Sequence, residues 1–156
     1  MIRLLVRFLP FFLLMSNALA EPTAYQKFLK KESPKEIYYL AQGGLQCSIS
    51  SSQLNEIIRQ ELLRQKIRPV REVIPLEQEF YLYALLECDL QSVNPTTFAY
   101  RFGVQFNAQS AATPRAYHVE YTGLGVTDDR EVVIQDFRES VHEAVLDYVE
   151  ANLDGF

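Results

Sequence analysis

Bond-making chemistry in this sequence would have to come from few side chains. His118 and His142 are the only histidines, and neither has a second His or Cys at a spacing such as His-x-x-x-His, which sets two ligands on one helix face. No glycine-rich phosphate loop, Gly-x-Ser-x-Gly turn or Asp-x-Asp-x-Asp-Gly calcium loop occurs. Ser48 and Ser50 to Ser52 read as a strand end and a helix cap. The remaining acid–base pair is His118 with Glu120, which would make the chain a small hydrolase. The expectation from these residues is a non-catalytic protein with no metal and no cofactor.

Cys47 and Cys88 are the only cysteines and lie 41 residues apart. They lack the Cys-x-x-Cys spacing of redox motifs, and an oxidised sulfur is no nucleophile. One disulfide is expected, worth about 4 kcal/mol on the chain-entropy model. That pairing suits an oxidising compartment, and the N-terminus points to one. Arg3 and Arg7, the apolar run Phe8 to Met15, and Ala18-Leu19-Ala20 before Glu21 follow the order of a cleavable secretory signal. Cleavage after Ala20 and a periplasmic or extracellular product are therefore expected. The apolar run is shorter than the roughly 20 residues that span hydrocarbon. No cysteine follows Ala20 to carry a lipid anchor and no second apolar span is present, so the expected product is soluble.

Charge divides the chain. Residues 21–71 hold nine Lys or Arg against five acids, whereas residues 72–156 hold four against fifteen. An acidic second half speaks against nucleic acid, whose phosphates need a basic stripe. Lys27, Lys30, Lys31, Lys35, Arg59, Arg64, Lys66, Arg68 and Arg71 form a basic first part. It is either a solvated face or a contact for anionic lipid headgroups or an acidic partner.

These residues must be positioned by a small set of elements. Residues 21–44 read as an N-terminal leader and helical segment, with Ser33, Pro34 and Glu36 at helix-start spacing. Ile37, Tyr38, Tyr39 and Leu40 would serve equally in a strand. Leu45, Cys47 and Ile49 alternate with polar neighbours as in a short strand. A helix is predicted over Ser50–Lys66, ended by Pro69, with Leu54, Ile57, Ile58 and Leu62 inward and Asn55, Arg59, Gln60 and Lys66 towards water. Three antiparallel strands follow at Phe80–Leu90, Phe98–Asn107 and Ala116–Thr122. Folding about loop centres would set Glu87 opposite Arg101, and Arg101 opposite Glu120. Gly123, Gly125 and Thr127 then lead into a helix capped by Asp128, with Ile134, Phe137, Val141, Ala144, Val145 and Tyr148 inward and Asp136, Glu139, Glu143, Asp147 and Glu150 outward.

The fold class implied is α+β: an antiparallel sheet of three to four strands against two amphipathic helices, in βαβββα-like order with one disulfide. Residues 45–156 form its single domain. Tyr81, Tyr83 and Leu85 lie on an otherwise polar strand face and are the candidate binding surface, since tyrosine buries a large ring while keeping its hydroxyl bonded. A protein-binding accessory module of the cell envelope is the expected function. The alternative is an inhibitor or immunity-type protein that neutralises an exported enzyme through Glu139, Glu143 and Asp147.

Overall fold

The computed structural model describes residues 24–70, 80–90, 96–107 and 120–153. The residues expected to form a secretory signal, the expected linker around Pro75, and His118 lie outside them. Helix α1 (Ala24–Leu29) precedes β1 (Glu36–Gln42), a 3-10 turn (Leu45–Cys47), α2 (Ser51–Arg64), β2 (Arg68–Val70), β3 (Tyr81–Leu90), β4 (Phe98–Asn107), β5 (Glu120–Thr127) and α3 (Arg130–Leu153). The strands make one sheet in the order β2-β1-β3-β4-β5. β1 runs parallel to both β2 and β3, while β3, β4 and β5 are antiparallel. The α+β class stands, but the sheet is mixed and five-stranded rather than antiparallel with three or four strands, and three helices accompany it.

The difference arises at β1. Ile37, Tyr39 and Ala41 alternate inward and are buried, so the segment assigned to a leader is a strand between β2 and β3. Its aromatic and β-branched residues suit a half-buried pleat better than a helix. Leu45–Cys47, expected as a strand, forms the 3-10 turn instead.

Helix α2 begins as predicted. Ser50 accepts from the Gln53 backbone N–H, and the Gln53 side chain accepts from the Ser50 N–H. Its end comes before Pro69. Lys66 adopts a left-handed φ of 59°, its N–H donates to Leu63 O at 3.0 Å, and the Ile67 N–H donates to Leu62 O at 2.9 Å. That is the Schellman arrangement, closed by contact-ready apolar residues at Leu62 and Ile67, both fully buried. Asn55, expected in water, is buried. β2 pairs only with Glu36 to Tyr38, which leaves the Ala41 backbone beyond its reach. The Asn55 amide takes over there, accepting from Ala41 N at 3.0 Å and donating to Ala41 O at 3.1 Å, so a side chain completes the ladder.

Helix α3 packs on β4 and β5, and α2 on β1 and β2. Phe137, Val141, Ala144, Val145 and Tyr148 are fully buried as expected, while Val133 takes the deep position and Ile134 is half-buried. Asp129 rather than Asp128 caps α3, accepting from the Glu131 N–H at 2.8 Å. The N-terminal segment is strapped to the far end of α3: Asn152 Nδ2 donates to Leu29 O at 2.8 Å, Asn152 Oδ1 accepts from Lys31 N at 2.6 Å, and Tyr148 donates to Pro34 O at 3.1 Å.

Candidate functional site

Alternation in β3 and β4 sends Leu82, Ala84, Leu86 and Cys88, with Phe98, Tyr100, Phe102, Val104 and Phe106, into the helix-covered core. The other residues form the second face of the sheet, on which no described helix packs. There Tyr81, Tyr83 and Leu85 of β3 stand beside Tyr38, Leu40 and Gln42 of β1. The three candidate binding residues therefore share one surface, each half-buried. Burial raises the Tyr83 phenol, helped by Tyr81 and Glu87 nearby, so it presents a protonated hydroxyl at neutral pH.

The most exposed apolar residues of this face are Leu124 at 85% and Val126 at 65%, both on β5. They had been expected to lead into the last helix. The signal for their strand was present in residues 121–126, where Thr122, Leu124 and Val126 alternate with Tyr121, Gly123 and Gly125. Leu85, Glu87, Arg101, Gly103, Thr122 and Leu124 line a depression of about 470 Å³ across β3, β4 and β5.

Register decides what this face carries. Tyr100 pairs with Gly125 and Phe102 with Gly123. A Cβ on Gly123 would lie 2.1 Å from Phe102 Cζ, and one on Gly125 would lie 2.6 Å from the Tyr100 hydroxyl oxygen. The two rings lie over the two glycines, and any other register would push a side chain into them. Arg101 consequently faces Leu124, and Glu120 faces Gln105. The expected acid–base–acid ladder is reduced to Arg101 with Glu87, an exposed ion pair of small energetic weight.

The acidic side chains of α3 divide. Glu139, Glu143 and Glu150 are exposed, as expected. Asp136 accepts from the Tyr100 hydroxyl and Asp147 from the Tyr121 hydroxyl, so these two turn to the sheet and not to bulk water. Tyr25 joins the second pair, its hydroxyl oxygen 2.6 Å from that of Tyr121. Burial first, then the bond to a carboxylate, pushes Tyr100 up to about 12 and Tyr121 well above the ordinary phenol range. Burial likewise pushes Tyr25 up to about 12, opposed by its bond to Tyr121. Phenols held so far above neutrality stay protonated at neutral pH and donate hydrogen bonds.

Cys47 and Cys88 form the disulfide, with Cα atoms 5.7 Å apart, and tie the 3-10 turn to β3. His142 Nδ1 lies 3.3 Å from Glu61 Oε2, and Arg64 Nη1 lies 2.7 Å from Glu61 Oε1. Glu61 is buried, and these contacts join α2 to α3. Of the cations suited to anionic headgroups, Arg59 pairs with Glu56, Arg64 with Glu61 and Arg68 with Glu36, while the Lys31 ammonium lies 3.9 Å from the centre of the Phe80 ring. Among the described residues no group of three or more His, Cys, Asp or Glu is placed to hold a metal, and no helix is long and apolar enough to cross a membrane.

No family model matches the chain, and no curated protein matches its sequence. Among solved structures it is similar to a candidate lipoprotein from Caulobacter crescentus CB15, at 14% identity, with 83% of this chain and 87% of that chain covered and a TM-score of 0.30. At that level the likeness carries no argument about what this chain does.

Proposed function

We propose that the protein is an exported, non-catalytic protein-binding module of the cell envelope that docks its partner on the helix-free face of the sheet. The observation that carries this reading is a face without a described helix that presents half-buried Tyr81, Tyr83 and Leu85 on β3 and exposed Leu124 and Val126 on β5, with the Arg101–Glu87 ion pair between the two groups. A face of that kind gains free energy when a partner removes it from water, and its tyrosines keep their hydroxyls available for bonds across the interface. The signal-like N-terminus and the disulfide support an oxidising compartment.

Affinity capture from an envelope extract tests the reading. The unaltered protein retains a partner, and the Tyr81→Ala, Tyr83→Ala double variant loses it while keeping its circular dichroism spectrum. A capture profile unchanged by the two substitutions would overturn the assignment of this face.

A further inference from the structure

Strand β5 has β4 on one side and, among the described residues, no strand on the other. An edge strand presents unpaired N–H and C=O groups, and proteins ordinarily guard such edges with lysine, proline, a bulge or inward charges. Residues 121–126 carry none of these: Glu120 is the only charged residue of β5, and eight residues pair in unbroken register with β4. Leu124 and Val126, the two most exposed large apolar side chains among the described residues, stand on this same strand.

A second feature borders that edge. At 3.6 residues per turn, Asp136, Glu143, Asp147 and Glu150 fall within about 60° of one another on α3. The bonds from Tyr100 to Asp136 and from Tyr121 to Asp147 show that this flank is the one turned to β4 and β5. His142, which meets Glu61 of α2, lies on the opposite flank. The partners of Asp136 and Asp147 are neutral phenols, so their negative charge is hydrogen-bonded but not cancelled. The α3 ion pairs among the described residues, Arg130–Glu131 and His142–Glu61, include none of the four.

We propose that β5 is a strand-addition edge for an extended, basic segment of a partner protein. A strand added about 4.8 Å beyond β5 sends alternate side chains to the two faces of the sheet. One row lies beside Leu124 and Val126 and is apolar. The other points to the helix layer, where lysine or arginine reaches the carboxylates of the α3 flank. Electrostatics selects this occupant over a second copy of the chain. Pairing β5 with itself would bring two negative α3 flanks together, whereas a basic strand meets opposite charge.

This proposal rests on the reading that the protein binds other proteins, and it can fail separately from it. The probes are labelled seven-residue peptides alternating lysine with valine, or glutamate with valine, titrated against the purified protein by fluorescence anisotropy. The lysine–valine peptide is expected to bind about tenfold tighter, the effect of two partly exposed charge contacts, with the preference shrinking as salt is raised. Glu143→Gln with Glu150→Gln, both at exposed positions, should remove most of that preference. N-methylation of one alternate set of peptide amides should abolish binding while methylation of the other set leaves it intact, since only one set faces β5. Equal binding of the two peptides, binding of neither, indifference to both methylation patterns, or sedimentation as a dimer that Leu124→Lys dissociates would each overturn the proposal. If the peptides fail while capture still depends on Tyr81 and Tyr83, the binding function stands and the edge proposal falls.

Discussion

The two faces of the sheet are built from alternate residues of the same strands and do opposite work. On the covered face Phe102 meets Phe137 edge-on at 5.7 Å, and Phe106 stacks on Tyr148 at 5.6 Å, so each ring is enclosed by others. On the other face Tyr81, Tyr83 and Leu85 keep part of their surface in water and Leu124 keeps nearly all of it. The covered face is apolar throughout, whereas the other mixes these apolar residues with Glu87, Asp89, Arg101 and Gln105. Helices α2 and α3 cover the first face, where ring burial supplies stability, and no described helix covers the second, where the proposed docking surface lies.

The contrast is broken most directly by truncation. Phe137→Ala removes a fully buried ring and is expected to cost about 3–5 kcal/mol, whereas Leu124→Ala should fall within about 0.5 kcal/mol of the unaltered protein. Denaturant unfolding of the two variants measures this, and equal losses would mean that Leu124 is not the solvated residue described above. Gly123→Ala probes how the faces are kept apart. Its new methyl group meets the Phe102 ring, itself enclosed, and overpacking of this kind costs about 1–3 kcal/mol. An unaltered or raised melting temperature would show that the ring yields and does not set the register.

Alkaline titration sharpens the comparison further. Tyr25 and Tyr100 have folded-state values raised to about 12 from an ordinary 10. A raised value means that the native state holds the phenol proton more firmly. The stability this contributes is therefore fully present below pH 10 and is lost as pH rises through about 12. The melting temperature should hold level up to pH 10 in this respect and fall above it, in step with the tyrosinate absorbance. A variant with Tyr25→Phe and Tyr100→Phe should show a shallower fall.

Much of this molecule was legible in its residues because local chemistry settled it. The capping box at Ser50 and Gln53, the buried stripe of α3 from Phe137 to Tyr148, the alternation of β3 and β4, and the Cys47–Cys88 pair follow from spacing, and the structure agrees with each. Tyr81, Tyr83 and Leu85 were visible as apolar residues on the wrong side of a strand. Errors fell where local preference was divided and a distant partner decided. Ile37 to Leu40 suited helix or strand until β2 and β3 took them in parallel. Asn55 looked solvated until the Ala41 backbone needed its amide. Asp136 and Asp147 looked like surface carboxylates until Tyr100 and Tyr121 met them from the sheet.

The sequence by itself determined the alternation of β3 and β4, the Ser50 cap of α2, the disulfide and the division of charge, because each depends on neighbours a few residues apart or on composition. Tertiary structure alone decided that β1 lies inside the sheet, that Arg101 faces Leu124 instead of Glu120, and that Asp136 and Asp147 of α3 turn to β4 and β5. The β4–β5 register rests on the Phe102–Gly123 and Tyr100–Gly125 contacts, made across more than twenty residues of chain, and the place of β1 rests on its parallel pairing with β2 and β3. A one-residue slip there would exchange the two faces of β5, so the exposure of Leu124 and Val126 beside Arg101 was a property of packing and not of any local stretch.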